Sequence, residues 1–346
     1  MWKPNQEWMM AEFKAGIIGC GGRGKGHARG YAACEDVSLV ACADPFEESR
    51  GAFVDSFGVD RGYEDYHEML EKESLDFVSV CTWTGMHREM IEAVAASGVK
   101  AIHSEKPMAT MWGDAKAIMK ACDDKGVVIT FCHQRRFGSQ FVKAKEIAKS
   151  GAIGEVYRYE GSCPNLFDWG THWFDMFFFY NDDEPAEWVI GQIDGEGTKD
   201  IFAAPCEGSG LSWIRYANGR EGLLATGATD MNANMNRIVG IEGTIEIRPG
   251  RKDEPLRVFS EGEWTAPDLS GVEVLHDDAT VSSVMDLVDA VQTGREPELA
   301  GRKALQATEL IFSTYESSRR RGKVTLPLDV DGSALISMLA DGSIQR

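Results

Sequence analysis

The stretch KAGIIGCGGRG at residues 14–24 decides the fold. Its first half, AGIIG (15–19), is a short apolar run of the kind that forms a strand buried on both faces. Its second half reads Gly19-Cys20-Gly21-Gly22-Arg23-Gly24, the G-x-G-x-x-G spacing of a dinucleotide loop. Gly19 permits the tight turn, Gly21 lets backbone amides approach a pyrophosphate, and Gly24 lets the following helix pack close to its strand. That helix start offers unpaired N–H groups and a partial positive charge to phosphates, with Gly22 and Arg23 in the same loop. Asp44 ends the next apolar run, VSLVACA (37–43). A carboxylate there accepts hydrogen bonds from ribose hydroxyls and repels a 2′-phosphate, which favours NAD. NADP stays open, because Arg23 or Arg50 folded toward the ribose would weaken that preference.

Outward from this loop the pattern repeats. Apolar runs at 76–81 (DFVSVC), 100–104 (KAIHS) and 127–131 (VVITF) alternate with helical stretches near 24–34, 46–57, 65–72, 85–97 and 112–125. Continuous apolar strands separated by helices predict a doubly wound parallel sheet, an α/β fold. After residue 136 the character changes. A helix near 139–149 precedes strand-like segments at 155–161, 188–193, 211–217, 221–227 and 243–249, with turn residues between them, and helices near 279–293 and 301–321 close the chain. This predicts an α+β domain with a large, mostly antiparallel open sheet over 137–346, beside a dinucleotide domain over 1–136. Residues 1–12 read as an N-terminal extension.

Composition narrows the function classes. The chain has 346 residues, 43% hydrophobic and 26% charged, with a net charge of −19 from 55 acidic and 36 basic side chains. That balance repels a phosphate backbone, which argues against a nucleic-acid partner. The basic run Arg319-Arg320-Arg321 falls at a helix end, where it suits the helix dipole. No apolar run reaches the roughly 20 residues of a membrane span, and the opening residues lack the apolar core of a secretory signal. Eight scattered cysteines, with no C-x-x-C pair and no metal-ligand spacing, suit a reducing cytoplasm. No metal is expected, since the histidines form no ligand-like cluster in the sequence.

Two further motifs carry chemistry: Ser104-Glu105-Lys106-Pro107-Met108-Ala109, and Asp168-Trp169-Gly170-Thr171-His172 with D-x-x-x-H spacing. Oxidising a secondary alcohol needs a base for the hydroxyl proton, a cation for developing alkoxide charge, and a nicotinamide to accept hydride. Lys106 lies at the carboxyl end of a parallel strand, the face where open α/β sheets bind ligands. If Asp168 and His172 share a helical turn, the i,i+4 spacing puts both on one face. Asp168 would then orient the site while His172 takes the proton. Trp169, Trp173 and Asn165 offer an aromatic platform and an amide for a polyol.

With Thr82 and His87 after the run at 76–81, these motifs resemble the Gfo/Idh/MocA family of sugar and cyclitol dehydrogenases over roughly residues 13–250. The resemblance implies that Lys106 binds the reacting oxygen, His172 is the general acid/base and Asp168 tunes the pair. It places Glu105 at the nicotinamide ribose, Thr82 and His87 along the cofactor, and Gln134 and Arg136 at the nicotinamide and substrate. It implies a sugar or polyol substrate and a homodimer or homotetramer formed through the open sheet. Two alternatives accompany it: a redox-neutral enzyme that retains NAD and cleaves or modifies a glycoside through a transient keto-sugar, and a cofactor-binding regulator without turnover.

Overall fold

A computed structural model describes residues 13–227, 235–248, 251 and 253–345; the expected extension at 1–12 lies outside them. The first part is a six-stranded parallel sheet built from β1 (Phe13–Ile18), β2 (Val37–Ala43), β3 (Arg61–Tyr63), β4 (Phe77–Val80), β5 (Ala101–Ser104) and β6 (Val128–Phe131). Their spatial order is β3-β2-β1-β4-β5-β6, the doubly wound order with its crossover between β1 and β4. Helices α1 (Gly22–Ala32), α2 (Glu47–Phe57), α3 (Tyr66–Lys72), α4 (His87–Ala96) and α5 (Trp112–Lys125) connect the strands.

Side chains alternate across the sheet, so each strand feeds two cores. Ala15 and Ile17 join Ala28 and Tyr31 of α1 on one face. Ile18, Val78 and Val80 join Ile91 and Val94 of α4 and Ile118 of α5 on the other. Because both faces are covered, the strands need no polar alternation, which is why they read as continuous apolar runs. The short, half-exposed β3 carries too little apolar signal to be seen in the sequence.

The second part begins with α6 (Ser139–Ser150), β7 (Val156–Cys163) and α7 (Gly170–Tyr180), then β8 (Ala186–Asp194), β9 (Lys199–Ile201), β10 (Ala204–Cys206), β11 (Ser209–Tyr216), β12 (Glu221–Thr226), β13 (Met235–Gly240), β14 (Gly243–Ile247), β15 (Leu256–Ser260) and β16 (Glu263–Thr265). It closes with α8 (Ala279–Thr293), α9 (Gly301–Arg320), β17 (Val324–Thr325) and α10 (Ala334–Ala340). Nine strands form one sheet in the order β16-β15-β14-β13-β7-β12-β11-β8-β17, antiparallel except where β12 runs parallel to β7. Every residue of α7 is buried, so this helix shows no amphipathic period. Helix α8 returns to the first sheet, where Val284, Leu287 and Val288 join the core of β1 and α1. Among the described residues no helix is long and apolar enough to cross a membrane.

Candidate active site

The glycine loop adopts the strained turn its sequence anticipates. Gly19 has φ +96°, open to glycine at little cost. A Cβ on Gly24 would lie 1.9 Å from the Gly19 carbonyl oxygen, so only glycine lets α1 start this close to β1. At Gly21 and Gly22 a Cβ would meet nothing within 4 Å, leaving open space before the first amides of α1. That open cradle at a helix N-terminus fits a dinucleotide pyrophosphate. Asp44, at the end of β2, is buried and braces the same loop. Its carboxylate accepts from Cys20 N at 2.8 Å and Phe46 N at 2.9 Å, while Arg50 donates to its backbone carbonyl at 2.6 Å.

A cavity of about 400 Å³ opens at the carboxyl ends of the parallel strands. The glycine loop supplies Gly21, Gly22 and Arg23, the end of β4 supplies Cys81, Thr82 and Trp83, and the end of β5 supplies Glu105 and Lys106. The turn after β6 supplies Gln134 and Arg135, and the second part contributes Asp168, Trp169, His172 and Phe202. Lys106 Nζ donates to Asp168 Oδ1 at 2.6 Å and to its carbonyl at 3.0 Å, joining residues from both parts of the chain. Asp168 lies in the turn before α7, whose first residue is Gly170, so Asp168 and His172 do not share a regular helical turn. The aspartate is oriented instead by Asn165, whose Oδ1 accepts from Asp168 N at 2.7 Å and Trp169 N at 3.1 Å.

His172 is 5% exposed, and its buried Nδ1 has no hydrogen-bond partner among the described residues. Burial, reinforced by the charges of Arg135 and Lys106, pushes its pKa well below the usual histidine range. The ring is therefore neutral at pH 7, the form that accepts a proton. Glu105 is buried between Arg23 Nε at 2.5 Å and His27 Nε2 at 3.0 Å. Burial alone would raise its pKa, but the His27 hydrogen bond and the nearby cations outweigh it and hold the carboxyl well below the ordinary range. Gln134 Oε1 is buried and unpartnered, so an acceptor waits at the cavity wall.

Several anticipated contacts are placed elsewhere. Arg136 does not reach the cavity: its guanidinium is held by Asp175, Asp183 and Glu298 at 2.8–3.0 Å, with its side chain 1% exposed. The adjacent Arg135 lines the site instead, lying over the Trp169 and Trp173 rings at 5.3 and 4.4 Å, and burial lowers its pKa to about 10. His87 is fully buried, its ring nitrogens 3.2 Å from the Thr82 carbonyl and 3.3 Å from the Met108 carbonyl. It ties two site loops together rather than lining the cofactor. Trp173 is fully buried with Nε1 donating to the Ser162 carbonyl at 2.7 Å, so it is core rather than platform. Asn165 shapes the Asp168 turn and is absent from the cavity lining. Sequence reasoning missed His27, Trp83, Arg135 and Phe202. A His/His/Cys group also exists that the spacing does not reveal: His27, His103 and Cys132 bring ligand atoms within 4.8 Å of one another. All four ring nitrogens there already have protein partners.

Residues 13–133 match the family described as oxidoreductases with an NAD-binding Rossmann fold, GFO_IDH_MocA. The match spans the parallel sheet and its glycine loop, the cofactor-binding part of the chain. Among its relatives, a D-apiose dehydrogenase of Paraburkholderia graminis is 27% identical, covering 96% of this chain and 95% of that protein. A myo-inositol 2-dehydrogenase of Thermotoga maritima is 24% identical, covering 90% and 98%. The WlbA dehydrogenase of Bordetella pertussis, solved with NADH and UDP-GlcNAcA, is 22% identical with a TM-score of 0.74, covering 92% of this chain and 99% of that one. That likeness bears on the fold, and it supports the two-part architecture.

Proposed function

We propose that this Gfo/Idh/MocA protein reversibly oxidises a secondary hydroxyl of a sugar, sugar acid, inositol or glycoside with NAD. The observation that carries this is the convergence of Lys106, Asp168 and a neutral, unpartnered His172 on the cavity that the glycine loop opens into. Gly21, Gly22 and the first amides of α1 would hold the pyrophosphate, Asp44 the adenosine ribose, and Thr82, Glu105 and Gln134 the nicotinamide half. Bound NAD supplies the hydride acceptor. Lys106 Nζ, already fixed by Asp168, presents positive charge to the oxygen as its proton leaves, and a ring nitrogen of His172 receives that proton.

Residues 1–136 would then serve the cofactor and 137–346 the substrate. Asp44 supports NAD over NADP, and eight free cysteines support a cytoplasmic protein. The relatives act, by name, on D-apiose and myo-inositol, which supports a polyhydroxylated substrate here.

The test is a screen of purified protein with NAD against sugars, inositols, sugar acids and glycosides, following absorbance at 340 nm and glycosidic bond cleavage together. NADH accumulation is expected; cleavage without it would replace this reading with redox-neutral chemistry. Lys106→Ala and His172→Ala are each expected to lower kcat by roughly 10²–10⁴-fold while NAD binding is retained. Wild-type turnover in both variants would sink the assignment.

A further inference from the structure

The pairing of β8 with β11 runs as far as Asp194 against Ser209. A short turn would suffice to join them, yet residues 195–208 form a second hairpin, β9–β10, outside the nine-stranded sheet. Its base is fixed. Ala204 and Cys206 are each 1% exposed, and a Cβ on Gly208 would lie 1.7 Å from the Glu196 carbonyl oxygen. Glu207 accepts hydrogen bonds from Leu166 N and, at 2.6 Å, from the Tyr315 hydroxyl. Leu166 stands two residues before Asp168, so the hairpin is seated on the turn that carries the site.

The tip of this hairpin is Phe202-Ala203, with φ +52° and +60°. Glycine or asparagine normally occupies such positions, because left-handed backbone strains residues that carry a Cβ. Phe202 is nevertheless 49% exposed while lining the cavity, so burial in a core does not offset that strain. Backbone strain retained at a cavity wall points to use of the side chain. The same cavity is lined by Trp83, 61% exposed, from the cofactor-binding part, and by Trp169, next in sequence to Asp168. The lining also includes the polar groups of Lys106, Asp168, His172 and Gln134. A ligand suited to both surfaces carries hydroxyls around its edge and a persistent C–H face. A ring-closed polyol has that face; an open-chain polyol does not.

We propose that Phe202 is a specificity-determining wall that packs on the C–H face of a ring-closed sugar or cyclitol and selects it over open-chain polyols. The proposal rests on the dehydrogenase reading above. Its test compares wild type with Phe202→Ala, Phe202→Gly and Phe202→Tyr. The substrates are the best ring-closed compound in the screen and the open-chain probes sorbitol and D-gluconate, with NAD affinity measured by calorimetry and Tm by thermal unfolding. Phe202→Ala should raise the ring substrate's KM roughly five- to twentyfold, with kcat and NAD Kd within about twofold and open-chain turnover unmoved. Phe202→Tyr should restore the KM. Phe202→Gly should raise KM equally while Tm stays level or rises, because glycine accepts the left-handed backbone. An unchanged ring-substrate KM in Phe202→Ala overturns the proposal alone, as does a change in NAD Kd in place of KM. A lowered Tm in Phe202→Gly without a KM effect would assign the side chain to folding. Absence of NADH from wild type with every polyol removes the dehydrogenase reading, and this proposal with it.

Discussion

Lys106 and Asp168 are 62 positions apart in the chain and 2.6 Å apart in space, whereas Arg135 and Arg136 are adjacent and do unrelated work. Arg136 spends its charge on three carboxylates; Arg135 has a buried, unpartnered Nε and lies against aromatic rings beside the site. The two belong to a single 3-10 turn, Gln134–Phe137, where successive side chains diverge and no apolar period tells them apart. After burial, the Arg135 charge is the main influence holding the His172 pKa well below the usual range. In the proposed reaction His172 accepts the proton as the neutral ring, so activity is expected to persist at neutral pH and to fall as acid protonates it. Replacing Arg135 with Gln removes the repulsive cation and raises the His172 pKa. The acidic limb of the kcat/KM profile should then move to higher pH. Arg135→Lys should leave it near the wild-type position. A profile that is the same in all three proteins would show that Arg135 does not set the basicity of His172.

At the scale of elements, the site depends on how a few segments are fastened together. Glu207 links the turn before α7 to the β9–β10 hairpin and α9 through Leu166 N and the Tyr315 hydroxyl. Burial raises its pKa to about 7, the hydrogen bonds offsetting only part of that rise. Between about pH 4.5 and 7 the folded carboxyl keeps a proton that the unfolded chain has released. Its contribution to stability therefore falls as pH rises through this window, and the cost is complete above it. Glu207→Gln does not titrate, so its stability relative to wild type should improve by up to about 3 kcal/mol from pH 4.5 to pH 8. Parallel denaturant titrations at the two pH values would measure this, and a pH-independent difference would contradict it. The parallel sheet and its helices were legible in the sequence because two buried faces leave continuous apolar runs with glycine turns between them. The long helices α8 and α9 were legible from their period. By contrast, α7 is buried all round and reads as an undivided apolar run, while β9 and β10 are three-residue strands with no pattern to detect. The site followed the same rule. Residues in local motifs (Gly19–Gly24, Glu105, Lys106, Asp168, His172) could be named. Those brought in by a hairpin tip or by an adjacent position in a turn, such as Phe202 and Arg135, depend on tertiary placement.

For the whole molecule, the nine-stranded sheet has two unlike faces. One packs on helices: Val189, Ile193, Ile214 and Leu224 are buried, and Ser212 Oγ lies 2.9 Å from Thr314 Oγ1 of α9. The other carries Ile190 at 39%, Leu211 at 48% and Trp213 at 38% exposure, with Trp213 edge-on to Trp188 at 5.3 Å. Register places Trp213 opposite Ile190 on β8 and Leu223 on β12, so these apolar side chains form one contiguous patch. Further along, Arg158, Glu160, Arg237, Glu246 and Arg257 alternate in sign through ion pairs of 2.6–3.0 Å. An apolar patch beside an alternating charge ladder is a surface that a second copy of itself can match by a twofold rotation. We propose that the protein assembles through this face as a homodimer, or as a homotetramer in which the dimer pairs again. Trp213→Glu would place like charges near one another across such an interface, where apolar area had been buried. Light scattering after size exclusion should give more than the 38.1 kDa chain mass for wild type and a shift toward that mass for the variant. Circular dichroism should remain unchanged, because Trp213 is not part of the core beneath the helices. A monomeric wild type at tens of micromolar, or an assembly indifferent to Trp213→Glu, would rule this face out as the contact.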